Sequence, residues 1–165
     1  MARQGRGALE QTRFRDTGQH LGQYADRFLV RCPRCARCAV VAPLPRESRR
    51  EPARARVVCD ACGYAKDAAQ PTKGGAGAVD WYFHLPLWLQ APCCGEVLWA
   101  LNEAHLAFLE DYVRATLRED IRPDQVSAIA IRNQTMASRL PAWIQSARNR
   151  DEILRCIDKL KKTIG

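Results

Sequence analysis

The sequence predicts an α+β fold: an N-terminal four-cysteine module of short antiparallel strands, then an apolar β-hairpin and three to four C-terminal helices. Three observations predict it. Two Cys-x-x-Cys pairs, at 32–35 and 59–62, are separated by 23 residues. The most apolar stretch of the chain lies at 81–100, and much of 102–164 carries apolar residues at helical spacing. A length of 165 residues suits one domain, or a small metal module joined to a second small domain.

The two cysteine pairs indicate a metal site. They read Cys32-Pro33-Arg34-Cys35 and Cys59-Asp60-Ala61-Cys62, and Gly63 follows the second pair. Four thiolates at this spacing match the ligand pattern of structural zinc sites. A segment of about 40 residues buries too little apolar surface to hold its own strands. Structural zinc supplies roughly 10–16 kcal/mol in small finger peptides, so the metal replaces the missing core.

Short apolar runs flank both pairs. Residues 28–30 lead into the first pair and 39–42 leave it, while 54–58 lead into the second pair and Tyr64 begins the exit. This strand–knuckle–strand pattern resembles the zinc ribbon superfamily, particularly ribbons of the transcription factor IIB type. The resemblance covers about residues 26–68, roughly a quarter of the chain. It implies a shape more than an activity, because ribbons serve many functions.

The resemblance also implies a ligand set. One structural Zn²⁺ would be ligated by Cys32, Cys35, Cys59 and Cys62. Two features depart from the family pattern. Ala36 stands where such ribbons often have glycine, and Cys38 extends the first pair and is an alternative ligand to Cys35.

Charge suggests a polyanionic partner. The chain carries a net charge of +8, and residues 31–66 hold nine Arg or Lys against three Asp or Glu. Residues 67–121 are acidic by contrast. The basic ribbon predicts binding to nucleic acid, DNA included, or to a nucleic-acid-processing complex. Candidate phosphate contacts are the arginines of the ribbon, namely Arg31, Arg34, Arg37, Arg46, Arg49, Arg50, Arg54 and Arg56.

A protein-interaction role is the alternative function. In that hypothesis the ribbon is only a scaffold, and the chain is an adaptor or a self-associating subunit. The helices or the hairpin would dock on a partner or on a second copy, and in self-association the acidic middle would pair with the chain's own basic ends. The relevant acidic residues are Glu103, Glu110, Asp111, Glu119 and Asp120.

The chain divides by composition into four segments. Residues 1–23 are basic, polar and glycine-containing, which predicts a flexible tail. The ribbon spans 24–70, and a glycine-rich stretch at 71–80 predicts a linker, since it lacks the phosphate-loop pattern. Residues 81–165 are expected to form the hairpin and the helical region, packed against the ribbon.

Turn and helix-capping residues indicate where the elements of residues 81–165 begin and end. The hairpin turn is placed at Pro92–Gly95, and Asn102 is expected to cap a helix whose apolar stripe reaches Leu117. Thr135 caps another helix, which Pro141 either kinks or restarts. Asn149, with Glu152 three positions later, is a plausible cap for the last helix. Residues 123–132 are ambiguous between helix and strand.

Cys93 and Cys94 raise the question of a second metal site. His84, His105 or Cys38 would have to complete it, because no further Cys-x-x-Cys pair is present. Adjacent cysteines project in different directions, so ordinary turn thiols are the favoured interpretation.

No catalytic pattern is visible, and the sequence predicts a protein that is not an enzyme, although the thiols leave room for a thiol-based activity. A four-thiolate site has no open position for an activated water.

The N-terminal residues lack the apolar core of a signal peptide, and no apolar run is long enough for a membrane span. With eight cysteines, these features predict reduced, metal-bound thiols and a cytoplasmic location.

Overall fold

The computed structural model describes residues 12–46, 48, 51–71, 77–119 and 135–164. The strands are β1 (Arg13–Arg15), β2 (Phe28–Arg31), β3 (Cys38–Pro43), β4 (Arg54–Cys59), β5 (Tyr64–Ala69), β6 (Leu89–Cys93), β7 (Glu96–Ala100) and β8 (Leu117–Glu119). The α-helices are α1 (Glu103–Arg114), α2 (Ala142–Gln145) and α3 (Arg150–Lys161). An early antiparallel sheet, a second hairpin and C-terminal helices confirm the predicted α+β class.

The ribbon is a four-stranded antiparallel sheet in the order β2-β3-β4-β5. Burial alternates along β4, as expected for a sheet with one covered face. Ala55, Val57 and Cys59 point inward, whereas Arg54 and Arg56 point to solvent. One face of the sheet therefore joins the core, and the other presents arginine side chains.

Strand β2 attaches the ribbon to the second half of the chain. The Leu29 N–H donates to the Leu101 carbonyl at 2.8 Å, and the Trp88 N–H donates back to the Leu29 carbonyl at 2.8 Å. The fully buried Phe28 ring meets Trp81 edge-on, with centroids 5.2 Å apart. Buried side chains of the ribbon and of the helical region thus belong to one hydrophobic cluster.

The second hairpin, β6–β7, turns at Cys94-Gly95. Both turn residues have positive φ, +54° and +79°, as two-residue hairpin turns of this hand require. Helix α3 packs against β6 and α1, and α1 packs against β7. The hairpin is shorter than the apolar run that predicts it, because residues 81–88 form turns and isolated bridges rather than a strand.

The Asp80 carboxylate organises that irregular stretch. It is fully buried and accepts backbone N–H groups from Tyr82, Phe83 and Leu85 at 2.6–2.8 Å. These three hydrogen bonds hold the aromatic residues in a turn where a strand was expected. Asp80 falls within the segment predicted to be a linker, most of whose remaining residues lie outside the described ones.

Helix α1 begins as predicted but ends earlier. Asn102 caps it, and the last helical residue is Arg114, so the predicted stripe to Leu117 is wrong in its final turn. Leu117 instead starts β8, which pairs in parallel with β1.

Residues 13–15, assigned above to the tail, therefore form a strand. Phe14 packs edge-on against Phe108 and Tyr112, at centroid distances of 5.4 and 5.2 Å. The rest of the predicted tail, residues 1–11, lies outside the described residues.

The C-terminal region is broken into short pieces. Thr135 Oγ1 accepts the Ser138 N–H, as a cap should, but the turn that follows is a short 3₁₀ segment, Ala137–Arg139. Pro141 precedes α2, so it restarts the helix rather than kinking it. The ambiguous residues 123–132 lie outside the described ones. Within the described part of the chain, no helix has the length and apolar character needed to cross a bilayer.

Candidate metal centre

The four predicted cysteines come together at one end of the ribbon sheet. Cys32 Sγ lies 3.8 Å from Cys62 Sγ, and Cys35 Sγ lies 3.6 Å from Cys59 Sγ. All four sulfur atoms lie within 4.8 Å of one another. Cys32 and Cys59 are buried, and their partners are half-buried. Sulfurs from both knuckles therefore converge on one point.

Strand pairing places the two knuckles side by side. The first knuckle joins β2 to β3 and the second joins β4 to β5, with Cys59 paired to Tyr64. Each closes with a backbone hydrogen bond onto its first cysteine: the Ala36 N–H to the Cys32 carbonyl at 2.9 Å, and the Gly63 N–H to the Cys59 carbonyl at 2.8 Å. The two knuckles are thus equivalent turns at adjacent ends of the sheet.

The residue after each second cysteine adopts a left-handed conformation. Gly63 has φ of +69°, which glycine tolerates without strain. Ala36 has φ of +60°, so it occupies the position where ribbons often have glycine and takes the same conformation at a cost. Alanine in place of glycine at position 36 therefore leaves the conformation of the turn unchanged.

The sulfur spacing fits a tetrahedral metal ion. Zn–S bonds of about 2.3 Å place two sulfurs of a tetrahedral site about 3.8 Å apart. The closest pairs, at 3.6 and 3.8 Å, match that edge length. Four thiolates are also the donor set that selects soft ions such as zinc. The group can hold a metal ion, and Cys32, Cys35, Cys59 and Cys62 would hold it.

The pKa values of the thiols bear on how a metal ion could be held there. Burial raises the pKa of Cys32, but backbone N–H groups of Cys35 and Arg34 outweigh it and lower that pKa to about 7. Burial and the neighbouring thiols raise the pKa of Cys59 to about 12. Four thiolates this close repel one another, so all four ionise together only around a positive ion.

Cys38 lies outside this cluster. It is the first residue of β3, and its thiol points toward the Ala39 carbonyl at 4.0 Å. Its backbone carbonyl accepts a weak hydrogen bond from Cys59 Sγ at 3.7 Å. Cys35, and not Cys38, therefore completes the four-sulfur group.

The predicted phosphate-contact arginines fall into two sets. Arg31, Arg34 and Arg37 are exposed around the first knuckle. Across the described ranges no carboxylate forms a salt bridge with any of them. The Arg31 guanidinium lies 5.9 Å from the centre of the Trp88 ring, a cation–π geometry. Among the described residues, therefore, no carboxylate is paired with the first set, and one of its members, Arg31, lies beside an aromatic ring.

The second set is partly neutralised. Arg56 and Asp67 form a bidentate pair at 2.6 and 3.0 Å across β4 and β5, and Arg54 lies 3.8 Å from the same carboxylate. Hydrogen bonding and charge from Asp67 raise the pKa of Arg56. Arg46 donates to the Glu51 carbonyl. Arg49 and Arg50 lie outside the described residues, so the structure does not place the full candidate set.

Cys93 and Cys94 form a second group, with a partner that the sequence did not indicate. Their sulfurs are 3.9 Å apart, and a carboxylate oxygen of Glu152 completes a group within 4.8 Å. His84, His105 and Cys38, the helpers considered from the sequence, do not belong to it. Glu152 was predicted to help cap α3; instead its carboxylate accepts the Cys94 N–H at 2.9 Å.

No protein-family model matches the chain, and neither a curated protein nor a solved structure matches it. The structure supports a four-cysteine group compatible with a zinc-ribbon-like site that can hold a metal ion, without assigning the chain to a named family.

Proposed function

We propose that the chain is a zinc-ribbon protein that binds nucleic acid, or a nucleic-acid-processing complex, through its arginine-bearing ribbon surface. The observation that carries the proposal is the first knuckle. Exposed Arg31, Arg34 and Arg37 surround it, and no described carboxylate pairs with them. In this proposal one Zn²⁺ fixes the knuckle, and the arginines make the contact.

The proposed zinc is structural rather than catalytic. A site filled by four thiolates leaves no position for a bound water or substrate. The metal-binding sulfurs are also buried or half-buried. We therefore propose no enzymatic activity at this site, and the function lies in the surface that the metal holds together.

Salt dependence tests the nucleic-acid contact. Binding of a generic duplex and of a single strand is measured across a salt series, because each phosphate contact contributes about 0.9 to the slope of log K against log salt for a duplex. An Arg34→Ala/Arg37→Ala double variant should weaken binding and lower that slope by about 2.

The matched control is Arg54→Ala/Arg56→Ala, which removes two exposed arginines that already share Asp67. This variant should change the slope less than the knuckle variant does. Absence of binding at low salt, tight binding without a salt slope, or an equal effect of both variants would contradict the proposed contact.

Metal content tests the proposed ligands. Cys59→Ser removes a fully buried sulfur from the four-sulfur group, so the ribbon should lose its zinc and its strands should unfold. Cys38→Ser is the matched control, since its thiol lies outside the group, and it should retain one ribbon zinc. Mass spectrometry of the intact chain counts the ions; a chain that keeps its ribbon zinc in Cys59→Ser would exclude this ligand set.

The adaptor function is favoured by one observation. Arg54 and Arg56, on the exposed face of β4, carry their own counterion in Asp67, so this part of the ribbon is less suited to phosphate. A partner retained after nuclease treatment, or self-association that persists in high salt, would favour the adaptor over nucleic-acid binding.

A further inference from the structure

Three side chains that could ligate a metal ion meet where the tip of the β6–β7 hairpin rests on α3, and a fourth lies beside them. Cys93 and Cys94 come from the hairpin, and Glu152 and Cys156 come from one face of the helix, four residues apart. The Cys93, Cys94 and Glu152 donor atoms all lie within 4.8 Å of one another. The Cys156 thiol lies beside this group rather than within it, and donates to the Pro92 carbonyl at 3.7 Å.

The hairpin turn brings adjacent cysteines together, which their sequence position alone does not do. Cys94 has φ of +54°, a left-handed conformation that is unfavourable for a non-glycine residue. Turns of this type favour Asn, Asp or Gly at that position. In this conformation Cys94 Sγ comes within 3.9 Å of Cys93 Sγ, close to the sulfur–sulfur edge of about 3.8 Å in a tetrahedral thiolate site.

The Glu152 carboxylate is oriented by a hydrogen bond, as carboxylate ligands of metal ions usually are. Glu152 Oε1 accepts the Cys94 backbone N–H at 2.9 Å, so the turn that carries two thiols also orients the carboxylate. Cys93 and Cys156 are buried, Cys94 is half-buried and Glu152 is exposed. The cluster therefore has a buried floor of sulfur and one side open to solvent.

Two thiols and a carboxylate lie within 4.8 Å of one another in this cluster. When these groups are ionised their negative charges repel one another, and a bound positive ion would remove that repulsion.

We propose that Cys93, Cys94 and Glu152, joined by the neighbouring Cys156 through a turn of its side chain, form a second metal site, which takes a soft divalent cation of the Zn²⁺ class. Three sulfurs and one carboxylate oxygen form a donor set that zinc accepts. The site differs from the ribbon centre in having an exposed oxygen ligand, so its ion exchanges more readily. A metal ion bound there would link the tip of the hairpin to α3. This second site lies in a different part of the chain from the ribbon cysteines.

Counting zinc ions on the intact, folded chain tests this site. The protein is first dialysed against metal-free buffer, which leaves the tightly held ribbon zinc, and is then equilibrated with added Zn²⁺. Native mass spectrometry should show one ion before the addition and two after it. Cys94→Ser should stay at one ion at the same Zn²⁺ concentration, whereas Cys38→Ser, which lacks a thiol outside both clusters, should reach two.

A second variant keeps the test decisive if Cys94→Ser misfolds. Glu152→Gln keeps an acceptor for the Cys94 N–H but removes the charged oxygen ligand, and it should shift half-occupation by the second ion to a higher Zn²⁺ concentration. A wild-type chain that stops at one ion overturns the proposal. So does a second ion that binds Cys94→Ser and Glu152→Gln as tightly as it binds the wild type, since that ion would sit elsewhere. Loss of the ribbon zinc in Cys59→Ser is a separate result and bears only on the first site.

Discussion

His105 is a titratable side chain enclosed by the core. Its Nδ1 accepts the Leu101 N–H at 3.2 Å, so the ring is neutral with its proton on Nε2. The rings of Tyr24 and Trp99 lie 5.5 and 5.7 Å from it. Burial lowers the pKa of His105 to about 4. This histidine is therefore a packed core residue and not a metal ligand in the folded chain.

The buried histidine predicts a pH dependence of stability. In the unfolded chain its pKa is about 6.5, so between pH about 6.5 and about 4 only the unfolded state gains a proton there. Stability should fall as the pH falls through this window, by about 3 kcal/mol at most. Urea unfolding of the wild type and of His105→Gln, measured at several pH values, isolates the effect.

Contributions shared by both proteins, including thiolate protonation at the metal centre, cancel in that comparison. The advantage of the wild type over His105→Gln should shrink from pH 7 to pH 4. A constant difference across this range would show that His105 titrates normally in the folded state.

At the residue scale, the sequence could predict the role of a side chain where that role depends on the spacing of nearby residues along the chain. The four-cysteine cluster follows from two short motifs, and the structure brings those sulfurs together. Contacts across strands and helices were not predictable. Asp67 neutralises Arg56 because β4 and β5 pair in one particular register. Glu152 meets Cys94, 58 positions away, because α3 packs on the hairpin, and no local pattern reports that.

At the scale of elements, Asn102 joins α1 to the ribbon. Its side-chain oxygen caps the helix by accepting the His105 N–H at 3.0 Å. Its amide nitrogen donates to the carbonyls of Tyr24 and Arg27 at 2.6 and 3.0 Å, just before β2 begins. A single buried side chain thus fixes the start of the helix and the entry to the ribbon sheet.

Asn102→Ala should therefore cost more than the loss of an ordinary cap. The cap contributes about 1 kcal/mol, and the two carbonyls left without a donor raise the expected loss to about 2–4 kcal/mol. Asn149→Ala is the matched control, because Asn149 precedes α3 without capping it and donates only to the Trp143 carbonyl. Denaturant unfolding should show a loss of about 1 kcal/mol for the control. Equal losses in both variants would mean that Asn102 acts only as a local cap.

The first residue of a helix could be predicted because a capping residue marks it in the sequence. The last residue of a helix was harder to predict. The cap at Asn102 and the restart at Pro141 both follow from single residues. The early end of α1 does not. It depends on the pairing of β8 with β1, two strands about a hundred positions apart in the chain. Neither three-residue strand carries a recognisable pattern of its own, so tertiary pairing overrides the helical spacing that continues to Leu117.

At the scale of the whole molecule, the ribbon and the helical region share one core. Buried Val41 and Val57 of the sheet belong to the same cluster as Leu106 of α1 and Ile157 of α3. The backbone of β2 is also bonded to residues on either side of the hairpin. The division of the chain into a ribbon at 24–70 and a helical region at 81–165 stays a prediction from composition. The shared core predicts that the two will not unfold independently.

Removal of the proposed ribbon zinc should accordingly unfold the whole chain. Zinc binding is worth roughly 10–16 kcal/mol in finger peptides, which matches the 5–15 kcal/mol that holds a typical domain folded. Trp81 and Trp88 contact Phe28 and Arg31 of the ribbon, so tryptophan fluorescence reports on the boundary between the ribbon and the rest of the chain. The described α-helices all lie outside residues 24–70, so helical circular dichroism reports on the rest. Chelation should change this fluorescence and the helical circular dichroism together, and added zinc should restore both. Cys59→Ser, which affects only the ribbon site, should resemble the chelated wild type. Helical dichroism and tryptophan emission that survive zinc loss would instead make the ribbon a separately folding unit.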